Sequence, residues 1–286
     1  MALTFMKPAE SAAKGGPDAL AALLAQRRAL VMGILNVTPD SFSDGGQFYD
    51  ADAAIGRAAA MASDGADLID IGAESTRPYG SPEPVPADEE LARLKKVLPA
   101  AVKFGVPVSI DSNKAKVAAW ALDQGASIVN DVWGLQRDPG MARLVAARGV
   151  PVIVMHNRDA AEPGIDIIAD VAAFFARSLE IAAQAGIARD KIVLDPGIGF
   201  GKTAEQSITC IAKLGELARF GLPLLVGASR KRFINSVAKA APDERIGGSI
   251  ASHLEAVKNG AVIVRAHDVA ETVQALRVAA AIEAAR

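Results

Sequence analysis

The sequence predicts a single-domain α/β chain of the (β/α)8, or TIM-barrel, class. Three observations carry that prediction. Eight short apolar runs recur along the chain, separated by helical stretches. Each run ends in a polar or charged residue able to do chemistry. Each run after the first follows a glycine placed to close the preceding helix: Gly65, Gly105, Gly125, Gly149, Gly186, Gly221 and Gly260. Glycine adopts the left-handed conformation past a helix C-terminus without a Cβ penalty. Nearly continuous apolar strands are those buried on both faces of a parallel sheet. Reactive groups at the C-terminal ends of such strands form the active face of a barrel.

Residues 1–28 read as an N-terminal arm, loose around Gly15-Gly16-Pro17 and helical over 18–27, where the helix packs across the barrel bottom. The barrel takes residues 29–286, close to the roughly 250 residues this fold needs. Strand one, Val31–Leu35, ends at Asn36. The long loop Val37–Gly46 that follows is rich in turn formers and too polar for a core, which makes it a candidate lid. A helix over 50–64 leads to strand two, Leu68–Ile71, which carries Asp70 and runs on to Glu74-Ser75-Thr76-Arg77. Four prolines stiffen the loop 73–87, and Asp88 opens a helix to about 104.

Strand three, Val106–Ile110, ends at Asp111 and precedes a helix over 113–124. Strand four, Ser127–Val129, ends at Asn130-Asp131, before a helix over 139–148. Strand five, Val150–Met155, ends at His156, with a helix over 166–185 and a spacer Ile187–Lys191. Strand six, Ile192–Leu194, ends at Asp195 and precedes a helix over 203–219. Strand seven, Leu222–Val226, leads to Ser229-Arg230-Lys231 and a helical stretch over 231–259, split near Pro242 and Gly247-Gly248. Strand eight, Val262–Val264, ends at Arg265 and His267, and Asp268 with Glu271 is expected to form a capping box for the last helix.

Composition narrows the partners. A net charge of −2 supplies no global field for nucleic acid or an anionic membrane, so the expected partners are small molecules. Any anionic substrate must be held by a local cluster of cations. Hydrophobic residues make up 51% and aromatics only 5%, so small aliphatic side chains pack the helices onto the barrel. The single cysteine, Cys210, allows neither an internal disulfide nor a cysteine metal cluster, which fits a reducing cytoplasm. No apolar stretch follows the first basic residue as a secretory signal requires, and the Ala-Leu segment 19–25 is too short to cross a bilayer.

Four constellations carry chemistry. The segment Asp195-Pro196-Gly197-Ile198-Gly199-Phe200-Gly201-Lys202 joins a strand-end carboxylate to glycines that let backbone approach a ligand, with Lys202 at the start of the next helix. It lacks the Gly-x4-Gly-Lys-Ser/Thr spacing of a P-loop. Asp111, Asn130 and Asp195 stand at three strand ends and together suit a flat heterocycle bearing an amino group and ring N–H donors. Taken singly, Asp111 and Asn130 fit helix N-caps equally well. Ser229-Arg230-Lys231-Arg232 and Arg265-Ala266-His267 follow strands seven and eight, where barrels often bind phosphate. Lys231 and Arg265 with helix N–H groups would hold a diphosphate, while Arg232 fits a solvated face and Asp268 is expected to point away and cap its helix. Of the histidines, His267 is the functional candidate, His156 reads as pocket floor or core, and His253 as helix packing. Asn36 offers a neutral amide oxygen to Mg²⁺ already bound by phosphate oxygens and water. Trp120 and Trp133 read as packing.

These motifs resemble those of the dihydropteroate synthases, pterin-binding barrels that are the sulfonamide target. Met32-Gly33-Ile34-Leu35-Asn36-Val37-Thr38-Pro39-Asp40-Ser41-Phe42-Ser43-Asp44-Gly45-Gly46 is similar to the first signature of that family and Glu74-Ser75-Thr76-Arg77-Pro78 to its second. Ser109-Ile110-Asp111, Asn130-Asp131-Val132, Met155-His156, the Asp195–Lys202 motif, Ser229-Arg230-Lys231 and Arg265-Ala266-His267-Asp268 follow in the family's order, so that the resemblance spans about residues 30–284.

The resemblance implies that a dihydropterin diphosphate loses diphosphate and joins the amine of 4-aminobenzoate, in folate biosynthesis. It assigns Asp111, Asn130, Met155, Asp195 and Lys231 to the pterin, and Asn36, Arg265 and His267 to the diphosphate, with Mg²⁺ as cofactor on Asn36. Thr76, Arg77, Pro78, Phe200 and Ser229 would shape the aminobenzoate site beneath a lid carrying Asp44. Asp111, Asp44, Lys231 and Arg265 are the implied catalytic residues, and a homodimer is implied.

The chain departs from the family pattern at Tyr79-Gly80-Ser81-Pro82, which lengthens the second loop, at Ala73, and at Asn157-Arg158-Asp159. These changes put aminobenzoate affinity and sulfonamide sensitivity in question and leave the pterin residues intact. Two alternatives compete with the synthase reading: a methyltetrahydrofolate-type methyltransferase domain, which needs no Lys231 and Arg265 pair, and a non-catalytic pterin-binding paralogue.

Overall fold

The computed structural model describes residues 18–38, 51–74 and 85–286. The lid residue Asp44, the loop residues Thr76, Arg77, Pro78 and Tyr79, and the arm over 1–17 lie outside the described residues.

Eight parallel strands pair in chain order and close into a barrel. They are β1 (Leu30–Asn36), β2 (Leu68–Gly72), β3 (Val108–Asp111), β4 (Ile128–Asp131), β5 (Val152–Met155), β6 (Ile192–Asp195), β7 (Leu224–Val226) and β8 (Ala261–Ala266). Closure comes from β1 pairing with β8, Met32 opposite Arg265. The predicted strands agree with these within a few residues, the later starts of β3, β5 and β7 reflecting Pro107, Pro151 and Pro223, which enter before the ladder begins.

Helices cover the outside: α1 (Ala19–Leu24), α2 (Ala51–Ser63), α3 (Ala87–Ala101), α4 (Ala115–Asp123), α5 (Pro139–Arg148), α6 (Ile167–Ala185), α7 (Ala204–Ala212), α8 (Arg232–Val237), α9 (Ile246–Lys258) and α10 (Val269–Ala284). Their spacing matches their packing. On α2, Ala54, Ala58 and Met61 recur every three or four residues and are buried. The seven helix-closing glycines all have positive φ. Among the described residues no helix is long and apolar enough to cross a membrane.

Side-chain alternation along the strands sorts the barrel into an outer and an inner core. Val31, Leu35, Ile69, Ile71, Val129, Val152, Val154, Ile192, Leu194 and Val264 point out and join the helices in one large cluster. Leu30, Met32, Leu68, Ile128, Ile153, Val193, Leu225 and Ile263 form a separate cluster that fills the barrel axis. Leu20 and Leu23 of α1 complete that cluster, so the expected short helix does stopper the barrel floor. Asp67 secures the junction, accepting from the backbone N–H of Val31 and from Arg28.

Three local expectations are corrected. The split in the seventh helical stretch lies at 238–245, whereas Gly247 and Gly248 sit inside the first turn of α9. Gly248 serves packing there, since a Cβ would come within 2.3 Å of Ile234 on α8. Asp268 occupies the N-cap position of α10 but its side chain makes no cap bond, because its carboxylate is committed elsewhere. Asp111 and Asn130 are not helix caps either; the N-cap of α4 is Lys114 and that of α5 is Asp138.

Candidate active site

The inner faces of the strands place the site. On five strands the same face changes chemistry two residues beyond an axis-filling aliphatic: Leu68 gives way to Asp70, Ile128 to Asn130, Ile153 to Met155, Val193 to Asp195, and Ile263 to Arg265. Ladder register sets Asp111 opposite Asn130 and Met155 opposite Asp195. Asn36 lies opposite Gly72, which lies opposite Asp111. A dry aliphatic plug therefore supports a polar ring at the C-terminal mouth.

Arg265 organises that ring. Its Nε donates to Asp70 Oδ2 at 2.6 Å and its Nη2 to Asp111 Oδ2 at 2.7 Å. Asp70 Oδ2 also accepts from Asn130 Nδ2 at 2.9 Å, and Asp70 is fully buried. Burial works against the guanidinium charge, but Asp70 and Asp111 outweigh it and hold the Arg265 pKa above its ordinary value. The Asp111 carboxyl is pushed up to about 7, mainly by burial, with Arg265 opposing. Asp70 Oδ1, Asp111 Oδ1 and Asn130 Oδ1 are buried acceptors without a hydrogen-bond partner among the described residues. Such atoms are costly to leave unpaired and mark a place for donors.

Asp195 closes the ring from β6. Its Oδ1 accepts from the Gly197 N–H at 2.7 Å, and burial raises its pKa to about 6 against the nearby charges of Arg265, Lys231 and Lys202. Val132, Met155 and Phe200 form a small apolar cluster, backed by the partly buried Trp133. The Lys231 ammonium lies 4.0 Å from the centre of the Phe200 ring. Burial, then Arg265, lowers the Lys231 pKa to about 7, against the pull of Asp195 and Asp111.

After β7 and β8, Ser229 Oγ accepts from the His267 backbone N–H at 3.1 Å and lies 3.0 Å from His267 Nδ1. Burial and the charges of Arg265, Arg230 and Lys231 push His267 down to about 3, so its imidazole is neutral at pH 7. Arg230 has a positive φ of 58°. Ser249 and Arg245 hold that backbone through its N–H and C=O at 2.9 and 3.0 Å. The Arg230 side chain turns to Asp268 in a bidentate pair of 3.0 and 2.5 Å. This pairing takes Asp268 away from its cap.

Of the residues expected in the site, Asn36, Asp111, Asn130, Met155, Asp195, Phe200, Ser229, Lys231, Arg265 and His267 lie on this mouth. Sequence reasoning gave Asp70 no role, left His156 open between pocket floor and core, and placed Lys202 only at the start of a helix. Asp70 sits inside an apolar run, and its acidity in a buried strand was the available signal. Lys202 and His156 form a buried network below the Asp195 loop, with Lys202 preceding the α7 N-cap Thr203. His253 is buried in α9, and Cys210 is buried with its thiol raised to about 11, which makes it unreactive. A groove of about 740 Å³ walled by Trp133, Arg137, Arg158, Phe174 and Arg177 lies beside the mouth and contains none of the strand-end groups.

Comparisons agree with this geometry. A family model described as pterin binding enzyme matches residues 32–267. A dihydropteroate synthase of Bacillus subtilis is 45% identical over 249 residues, covering 87% of this chain and 86% of its own. The crystal structure of dihydropteroate synthase from Clostridium difficile in the presence of pteroic acid superposes with a TM-score of 0.85 at 46% identity, covering 90% of this chain and 97% of its own. The Xanthomonas albilineans dihydropteroate synthase with 4-aminobenzoic acid gives a TM-score of 0.85 at 42% identity, with 90% and 94% coverage. These relatives set aside the methyltransferase alternative. A chain that matches them over nearly its whole barrel belongs to the pterin-binding enzymes and, within them, to the dihydropteroate synthases.

Proposed function

We propose that this mouth condenses 6-hydroxymethyl-7,8-dihydropterin diphosphate with 4-aminobenzoate, giving 7,8-dihydropteroate and diphosphate. The observation that carries the residue roles is the set of orphaned buried acceptors around Arg265. A pterin ring edge presents an amino group and ring N–H donors, which is what the orphaned oxygens of Asp111 and Asn130 lack, and the Asp195 carboxyl stands on the same ring as a further acceptor. Phe200 supplies a flat apolar wall for the ring and Met155 a polarizable apolar one, with Lys231 a donor at its rim. Arg265 and the neutral imidazole of His267 face the diphosphate. Ser229 and Phe200 border the aminobenzoate, with Thr76, Arg77, Pro78 and the lid residue Asp44 assigned by the family motifs.

In the reaction the bond from the pterin methylene to the diphosphate oxygen breaks, and the diphosphate leaves with the electron pair. Arg265 stabilises the negative charge growing on it. Cationic character on the methylene is offset by the Asp111 carboxylate. The arylamine lone pair forms the new C–N bond and the nitrogen then passes its proton to the released diphosphate; the amine is neutral at pH 7 and needs no base before it attacks. Excluding water keeps a competing nucleophile from the carbon.

Asn36 fits a place beside Mg²⁺. Its half-buried side chain ends β1 and makes no hydrogen bond among the described residues. No group of three His, Cys, Asp or Glu able to hold a metal occurs among the described residues, so the chain would contribute the amide oxygen and leave the other positions to substrate oxygens and water. When bound, the ion neutralises charge on the leaving diphosphate.

Incubation of purified protein with dihydropterin diphosphate, radiolabelled 4-aminobenzoate and Mg²⁺ tests the reading; labelled dihydropteroate is the expected product, and its absence overturns the reading. Asp195→Ala should abolish pterin binding in calorimetry. The family also supports a homodimer, which sedimentation velocity tests.

A further inference from the structure

Lys202 is a buried ammonium whose donors are all engaged within the protein. It donates to Gly197 O at 2.9 Å, to Phe200 O at 3.1 Å and to His156 Nδ1 at 2.6 Å. An ammonium has three N–H groups, so none remains for a substrate. With Nδ1 accepting, His156 presents its Nε2–H to Asp170 Oδ2 at 3.0 Å. Asp170 Oδ2 also accepts from Arg158 Nη1 at 3.0 Å. A relay of fixed contacts thus runs from α6 through His156 to the loop after β6.

That loop is clamped from both sides. Above, the Gly197 N–H donates to Asp195 Oδ1; below, the Gly197 carbonyl accepts from Lys202. Gly197 has φ +66°, and a Cβ there would stand 1.9 Å from the His156 carbonyl oxygen. No carboxylate is among the hydrogen-bond partners of Lys202. Burying a charge against neutral carbonyls is a poor way to gain stability, and an apolar chain would fill the same volume at less cost. What the ammonium does, and an apolar chain cannot, is aim the carbonyls of Gly197 and Phe200.

We propose that Lys202 and His156 are positioning residues that fix Asp195 and Phe200 in the orientation a pterin requires, an inference that rests on the function proposed above. Lys202 acts on the loop directly. His156 acts by holding the ammonium in place, with Asp170 fixing its tautomer. Neither touches substrate. The diphosphate side, built on β8, lies outside this clamp.

The test uses the full-length protein in calorimetry with dihydropterin diphosphate and 4-aminobenzoate-free buffer, and separately inhibition by inorganic diphosphate. Lys202→Met should weaken pterin binding about 10- to 100-fold, as loss of an orienting outer contact does elsewhere, while diphosphate inhibition stays within about twofold. His156→Leu should weaken pterin binding in the same direction, and His156→Gln, whose amide oxygen can accept from Lys202, should restore it. The His156 pair carries the test if Lys202→Met does not fold. Thr203→Ala, which removes the α7 capping box, serves as a stability control with both affinities kept. Wild-type pterin affinity in both Lys202→Met and His156→Leu overturns the proposal, as does a parallel fall in pterin and diphosphate affinity tracking lost stability. A wild-type protein that binds no pterin removes the underlying function, and the positioning role with it.

Discussion

Arg265 is tied to Asp70 through its Nε, at 2.6 Å, leaving the outer end of the guanidinium to reach Asp111. The inner contact fixes the plane of the guanidinium. The outer contact is the one a bound anion can compete for. Asp70 thereby sets the direction in which Arg265 presents its charge, and through Nδ2 of Asn130 it also orients a neighbouring amide.

Removing the carboxylate at this junction leaves a buried cation half-compensated. Asp70→Asn should cost about 3 kcal/mol of stability, measured by urea unfolding. Arg265→Ala should lower kcat/KM by about 10²- to 10³-fold and weaken inhibition by diphosphate. Unchanged kinetics in Arg265→Ala would remove the phosphate-side assignment.

The raised pKa of Asp195, about 6, makes pterin binding pH-dependent. Ring N–H donors stabilise the ionised carboxylate, so the complex has a lower pKa than the free protein. On account of Asp195, affinity should fall by up to tenfold per unit as pH drops below 6, with proton release on binding at pH 5.5, in addition to the change that Asp111 and Lys231, both near 7, impose at higher pH. Calorimetry in buffers of different ionisation enthalpy reads this directly. The sign on folding is opposite. An unfolded carboxyl titrates near 3.9, so the folded state binds the proton more tightly, and this stabilising contribution, full below about pH 4, is lost as pH rises through 6.

Neighbours on β4 should behave differently. Asn130 points to the axis and to Asp70, whereas Asp131 accepts from the backbone N–H groups of Trp133 and Leu135 at 2.9 and 2.7 Å. Asn130→Ala should raise the pterin KM by tenfold or more. Asp131→Ala should instead cost about 1–3 kcal/mol of stability, with kcat and the pterin KM close to wild type.

Gly197→Ala forces a Cβ onto a backbone oxygen that no side-chain rotation can move, at a positive φ. The loop must shift, and the expected result is a loss of about 1–3 kcal/mol of stability together with weakened pterin binding. Equal affinity in the variant would show that the loop's position does not matter to the ring.

Much of this was legible in the chain itself. The order of strands and helices, the glycines that end the helices, and the polar residues at the strand ends all follow from local pattern, because capping and burial act over a few residues. Asp111, Asn130, Asp195 and Arg265 could be named from their places at the ends of apolar runs. The family motifs added the substrates. What the local pattern left open was direction. A strand buried on both faces is apolar on both, so nothing nearby distinguishes inward Asn130 from outward Asp131, or marks Asp70 as the inner anchor of Arg265. That choice depends on the parity of each strand about the barrel axis, which is set only when β8 closes on β1. The same closure, with the helices packed around it, brings Lys202 under Gly197 and sends Asp268 to Arg230 rather than to its helix. Sequence determined which groups were available at the mouth; tertiary structure decided which of them face each other, because contacts between distant strands are a property of the closed barrel and of no single segment.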